Sequence, residues 1–168
     1  MNLALLVIDM QIGFVGEDKR KDDVKRVSEY INYVAGIVRE GGGWVVHVQD
    51  VDVEGGKTSP NYEIVPEIER APQDLFVSKK RPNSFWETEL ESLLRDRGIR
   101  NVIVSGFAAE HCVLFTYNGA AERGFRPAIL QHGVLGERDA SVDALYRDRQ
   151  VISYGVVKWL LEGETQTP

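Results

Sequence analysis

One cysteine, Cys112, stands in the whole chain, which excludes an internal disulfide framework and fits a reducing, cytoplasmic setting. Histidine is nearly as scarce. His47, His111 and His132 are the three present, and their separation lacks the ligand spacing of a histidine metal site. Positive charge is the minority: 20 Lys and Arg against 26 Asp and Glu leave a formal charge of -6. A surface of that sign repels phosphate backbones, so no nucleic-acid partner is expected. The basic run Lys19-Arg20-Lys21 meets Asp22 and Asp23 at once and reads as a solvated helix start. Long apolar runs are also missing. Leu3–Ile8 stops at Asp9, far short of the roughly 20 residues that span a bilayer, and no small-residue cleavage site follows. Neither a membrane nor a targeting segment is therefore expected. No G-x-G-x-x-G follows that first run and no Walker A sequence occurs, which excludes those two nucleotide-binding folds.

What is present suits a soluble globular chain, with a hydrophobic fraction of 43% and a charged fraction of 27%. The 168 residues suit a single domain, 1–168, with a full core. Short apolar runs alternate with longer segments of helical period, the pattern of a parallel sheet covered by helices on both faces. The strands expected are Leu3–Ile8, Trp44–Gln49, Leu75–Ser78, Asn101–Ser105, Ala128–Gln131 and Val151–Ser153. The helices expected run from a cap at Asp22 or Asp23 to Gly41-Gly42-Gly43, then over Glu87–Arg97, Cys112–Arg123, Ala140–Arg149 and Gly155–Leu161. The polar tail Glu162–Pro168 is expected to fray. The fold class is α/β: three layers, α/β/α, around a central, mostly parallel six-stranded sheet. Between the second and third strands, Asp50–Asp74 carries Gly55, Gly56, Pro60, Pro66 and Pro72, and a connection of this length reads as a lid over a site.

In open parallel sheets, ligands bind beyond the carboxyl ends of the strands. There the first strand ends on Asp9, the second on Gln49-Asp50, the third on Lys79-Lys80, and the fourth leads through Gly106–His111 into Cys112. Singly, each has a plain structural explanation: a turn-capping acid, a solvated lysine, a core thiol. Together they make a nucleophile. A thiol at a helix N-terminus feels the positive end of the macrodipole, a nearby ammonium lowers its pKa further, and a carboxylate takes its proton. Side chains alternate along a strand, so only one of Lys79 and Lys80 can face Asp9 and Cys112.

Three segments carry a resemblance: Leu5-Leu6-Val7-Ile8-Asp9-Met10-Gln11, Lys79-Lys80-Arg81-Pro82-Asn83-Ser84-Phe85 with Thr88 and Leu90, and Gly106 through Cys112-Val113. In this order and spacing they resemble the isochorismatase-like cysteine hydrolases, a superfamily that includes nicotinamidases, N-carbamoylsarcosine amidases and ureidoacrylate amidohydrolases. The resemblance implies the isochorismatase-like hydrolase fold and an Asp-Lys-Cys triad. Asp9 would be the general base, Lys79 the supporting cation and Cys112 the nucleophile that forms an acyl-enzyme. It also implies an oxyanion hole from the backbone N–H groups of Ala108 and Cys112, with a cis peptide between Phe107 and Ala108. Of the two lysines it selects Lys79, six residues before Phe85.

The sequence departs from the family in three places. The nicotinamidase branch binds a metal through Asp-x-His and further histidines, whereas this chain has Asp50-Val51-Asp52 and no histidine between His47 and His111. No metal and no other cofactor is expected. Ala109 stands where the family often has Thr, and Gln131-His132-Gly133 where an acid commonly follows the fifth strand; His132 reads as a surface residue. The function expected is hydrolysis of a C–N bond in a small amide or ureide. The alternatives are an isochorismatase-type vinyl-ether hydrolase, whose chemistry does not need the thiol, and an inactive binding or assembly subunit. Pocket walls are expected from Phe14, Phe85, Trp86 and Phe107 and from the Asp50–Asp74 loop. Family members are commonly oligomers, so a homo-oligomer is expected, with Tyr117, Tyr146 or Trp159 as interface aromatics.

Overall fold

The computed structural model describes residues 2–16 and 20–164, with side chains as far as Leu161. Strand β1 (Leu3–Ile8) is apolar and buried at every position, as a central parallel strand covered on both faces must be. It lies in a six-stranded sheet of order β3-β2-β1-β4-β5-β6, formed with β2 (Trp44–Asp50), β3 (Leu75–Lys79), β4 (Asn101–Phe107), β5 (Arg126–Leu135) and β6 (Val151–Ile152). Every pairing is parallel. The order reverses between β1 and β4, so the crevice beyond their carboxyl ends is the topological switch point where open α/β sheets bind ligands.

Alternation along β1 divides the core in two. Leu3, Leu5 and Val7 pack with Val24, Val27, Ile31, Val34 and Val38 of α2 (Lys21–Glu40) and with Val157 and Leu161 of α6 (Tyr154–Glu164). Ala4, Leu6 and Ile8 pack instead with Leu90 and Leu94 of α3 (Leu90–Arg95), Tyr117 and Ala120 of α4 (Leu114–Glu122) and Leu145 of α5 (Asp139–Asp148). A further short helix, α1 (Ile12–Val15), follows β1. Helix α2 starts one residue before the expected caps. Arg20 holds the cap position, and Asp22 and Asp23 lie in the first turn, where carboxylates favour the positive end of the helix dipole. Gly106 marks a close approach of two strands: its φ is +102°, and a Cβ there would meet the Ile8 carbonyl oxygen at 2.1 Å.

Several boundaries differ from expectation for identifiable reasons. Strand β5 reaches Leu135 because it bulges rather than ends at Gln131-His132-Gly133: Val104 pairs with Ile129, but Gly106 pairs with Val134. His132, at the turn of that bulge, has φ +63° and rests its exposed ring on Tyr30 at 5.0 Å. The expected lid is a packed excursion. Gln11 bridges to Ile64, Ile12 N–H donates to Glu63 O and Val65 N–H to Met10 O at 2.9 Å each, and Val53, Ile64, Val65 and Ile68 are buried. Its last residue, Asp74, is held by Arg39 at 2.7 Å and His47 at 3.0 Å. Tyr117, expected at an interface, is buried in the core, and Tyr146 is half-buried against it, whereas Trp159 is exposed. The segment 162–164 continues α6 rather than fraying, and the last four residues lie outside the described ones, as does Lys19.

Candidate active site

Three strand ends deliver the chemistry. Asp9 is the first residue after β1 and has φ +49°, a strained setting for a side chain with a Cβ. Its backbone N–H donates to Val48 O of β2 at 2.9 Å, which fixes the turn. Lys79 ends β3, where the strand register sets it opposite Asp50 of β2. The alternation expected of the two lysines holds: Lys79 is buried and Lys80 exposed. Cys112 follows β4, inside a wide π turn, Ala109–Val113, in which the Ala108 carbonyl accepts from both His111 N–H at 3.0 Å and Val113 N–H at 3.1 Å. The Phe107–Ala108 peptide bond is cis. Helix α4 itself begins only at Leu114, so Cys112 precedes the helix instead of opening it.

The side chains converge on one ammonium. Lys79 Nζ lies 2.8 Å from Asp9 Oδ2, 2.5 Å from Asp50 Oδ2 and 3.4 Å from Cys112 Sγ. An ammonium has three N–H donors, and three acceptors surround this one. Asp9 is 1% exposed and its Oδ1 has no hydrogen-bond partner among the described residues. The Cys112 thiol is among the groups that face this carboxylate, and a buried carboxylate beside a thiol can serve as its proton acceptor.

Electrostatics set the resting protonation. Burial pushes Asp9 up to about 6 against the pull of Lys79, with the Asp50 charge adding to the rise. Burial would lower Lys79, but the Asp9 carboxylate and the thiol opposite outweigh it and hold the amine above its ordinary range. Cys112 departs from the sequence-based expectation. Burial, and after it the Asp9 charge, push the thiol up to about 12 despite Lys79. The thiol therefore rests protonated at neutral pH, because the dipole effect expected of a helix N-terminus is outweighed by desolvation and a like charge.

The remaining expected site residues separate. Phe14 and Phe107 stack at 6.3 Å between ring centroids, both half-buried beside the switch point. Phe85 is 4% exposed, stacked on Phe125 and covered by the Arg123 guanidinium; it is core, not a pocket wall. Trp86 is exposed on the loop after β3. Two residues near the site carry more than the sequence conveyed. Arg20, read as solvated, lays its guanidinium 5.5 Å from the Phe107 ring centroid and donates to Gly136 O at 2.8 Å. Gln11 is fully buried; it accepts the Asp50 N–H at 2.7 Å and donates to Asp50 O at 3.0 Å and Tyr62 O at 3.1 Å.

A nicotinamidase-type metal does not fit these residues. Among the described residues, one group of acids and thiol is close enough to share a cation: Asp9, Asp50 and Cys112, with ligand atoms within 4.8 Å of one another. The Lys79 ammonium already lies against all three. Asp50 Oδ1 is occupied by the Asp52 N–H at 2.9 Å. His47 is buried on Asp74, and His111 is exposed beside Glu137.

Known proteins resemble the chain in sequence and in fold. Streptothricin hydrolase of Streptomyces noursei is 34% identical over 133 residues, covering 77% of this chain and 52% of its own length. Ureidoacrylate amidohydrolase of Caulobacter segnis is 29% identical over 149 residues, covering 66% of this chain and 62% of its own. The chain thus spans somewhat over half the length of these relatives. The crystal structure of N-carbamoylsarcosine amidase from Thermoplasma acidophilum superimposes with a TM-score of 0.76 at 26% identity, covering 92% of this chain and 94% of that one. Among the described residues no helix is long and apolar enough to cross a membrane. The Isochorismatase domain family matches residues 3–152, and the chain, with this sheet order and this switch-point site, belongs to that family.

Proposed function

We propose that the protein is a cysteine hydrolase that cleaves a C–N bond of a small amide or ureide through a Cys112 acyl-enzyme. One observation carries the reading: a single buried ammonium bonds the thiol and the carboxylate beside it at once. Core lysines are rare because an unpaired buried charge is costly, and this one is held where a thiol and a carboxylate must trade a proton.

The chemistry follows from the protonation states. Cys112 Sγ attacks the carbonyl carbon while its proton passes to the Asp9 carboxylate, so free thiolate need never accumulate. Lys79 stabilises the sulfur as negative charge forms on it. The Ala108 and Cys112 N–H groups receive the oxyanion, where one such donor is typically worth about 2.7–4 kcal/mol. Asp9 then protonates the leaving nitrogen, the C–N bond breaks and a thioester remains. Water attacks the thioester with Asp9 as base, the acid departs, and the thiol recovers its proton. Net, one amide and one water give one acid and one amine. Phe14 and Phe107 form an aromatic wall that suits a small, partly planar substrate.

The names of the relatives support this class, since an amidohydrolase acting on ureidoacrylate and an amidase acting on N-carbamoylsarcosine both cleave C–N bonds. Vinyl-ether hydrolysis would leave the Lys79–Cys112 contact without a task. A panel of small amides and ureides, read by ammonia release, tests the proposal. At least one should be hydrolysed by the wild type and not by Cys112→Ala; equal rates for the two proteins would refute it.

A further inference from the structure

Asp50 lies outside the triad, yet it makes the shortest contact to the Lys79 ammonium, 2.5 Å against 2.8 Å for Asp9. Its place is built from three sides. The β2–β3 register sets it opposite Lys79. Gln11, two residues beyond Asp9, grips its main chain on both the N–H and the carbonyl. The Asp52 N–H takes its second carboxylate oxygen at 2.9 Å, leaving Oδ2 aimed at Nζ. We propose that Asp50 is a positioning residue for the hydrolytic triad: it anchors the Lys79 ammonium and, as a second carboxylate within 4.8 Å, shares that positive charge with Asp9, the acceptor of the thiol proton.

The physical case rests on counting donors and charges. Without Asp50, one of the three Nζ–H groups loses its acceptor, and the ammonium is free to swing wholly onto Asp9. A carboxylate paired one-to-one with a buried ammonium is a weak base, its pKa lowered below the ordinary range. With Asp50 present, one positive charge is divided between two carboxylates. Asp9 then keeps proton affinity while Lys79 keeps its charge for the sulfur. The titratable and charged groups facing Asp9 are Lys79, Asp50 and Cys112, so the effect of Asp50 is read against a small set. The other arm of the second-strand aspartates, Asp52, is exposed and contributes its backbone alone.

The proposal rests on the hydrolase reading for its consequence but not for its test. The protein is labelled with 13C at aspartate carboxyls, and the Asp9 signal is assigned by its loss in Asp9→Asn. In the wild type that signal should titrate near 6. In Asp50→Asn, which keeps an acceptor oxygen but no charge, the midpoint should fall below the wild-type value, and Asp50→Glu should restore it. Thermal unfolding of each variant shows that the fold is intact; if Asp50→Asn does not fold, the comparison of Asp50→Glu with Asp50→Ala serves in its place. An Asp9 midpoint that is the same with and without the charge at position 50 overturns the proposal. For any amide the wild type hydrolyses, the acidic limb of kcat/KM should move down with the midpoint, and the plateau should fall at least about tenfold. A moved midpoint with no hydrolysable amide would contradict the hydrolase reading and leave the coupling standing. Hydrolysis with an unmoved midpoint would do the reverse.

Discussion

Replacing Lys79 with methionine keeps most of the side-chain volume and deletes the charge on which Asp9, Asp50 and Cys112 converge. Two carboxylates are then left close together, one of them 1% exposed. Removing one partner of a buried ion pair typically costs about 3–5 kcal/mol, and for a chain of this size each kcal/mol moves Tm by roughly 2–4 °C. The expected fall in Tm at pH 8 is therefore about 6–20 °C. The sign of its pH dependence follows from Asp9. With a folded pKa of about 6 against an ordinary 3.8, Asp9 binds its proton more tightly folded than unfolded. Its contribution to stability is full below pH 3.8 and is lost as pH rises through 6, roughly 3 kcal/mol in the wild type. Deleting Lys79 pushes that pKa higher still, so Lys79→Met loses more on going from acid to pH 8 than the wild type does. Scanning calorimetry at pH 5 and pH 8 should show a deficit that widens with pH. The control is Lys80→Met, exposed, which should stay within about 0.5 kcal/mol of wild type. A Lys79→Met deficit that is independent of pH, or a larger loss from Lys80→Met, would refute the reasoning.

Other outcomes follow from the same geometry. Iodoacetamide should alkylate Cys112 with an apparent pKa above the free-thiol value of about 8.5, and Asp9→Asn should speed alkylation at pH 8 while abolishing turnover; a wild-type value at or below 8.5 would contradict the buried, protonated resting thiol. Hydrolysis should survive dialysis against a chelator, and loss of activity restored by zinc or iron would assign Asp50 a ligand role instead. Gly106→Ala should cost at least about 2 kcal/mol in a urea titration, because its Cβ meets Ile8 backbone and its φ is +102°; a change under 0.5 kcal/mol would show that the two strands can part there.

Much of the scaffold is legible in the sequence because a buried parallel strand leaves a run of apolar residues and nothing else. Leu3–Ile8 and Asn101–Ser105 announce themselves that way, and the acids, amine and thiol follow at their carboxyl ends. The alternation of Lys79 and Lys80 is legible too, since the strand period of two persists to the strand end. What the chain hides is what depends on register and depth. Asp50 looks like a loop acid until the β2–β3 pairing sets it opposite Lys79. Phe85 looks like a pocket aromatic until Phe125 and Arg123 enclose it. Arg20 sits in a basic run, but its partners Phe107 and Gly136 are far along the chain. The thiol pKa is hidden for a similar reason, because a dipole is visible from helix position while desolvation depends on everything packed around it.

Covalent catalysis by Cys112 is the claim on which the functional reading stands, and it can be weighed directly. The amide or ureide hydrolysed fastest in the ammonia-release panel is mixed with the enzyme, quenched in acid within the first turnovers, and the intact protein mass is measured. The account predicts a species heavier by the acyl group, mapped by peptide digestion to Cys112 and missing from Cys112→Ala, which should also have lost turnover by at least about 10²-fold. Steady turnover without any adduct, retained in Cys112→Ala, would contradict it.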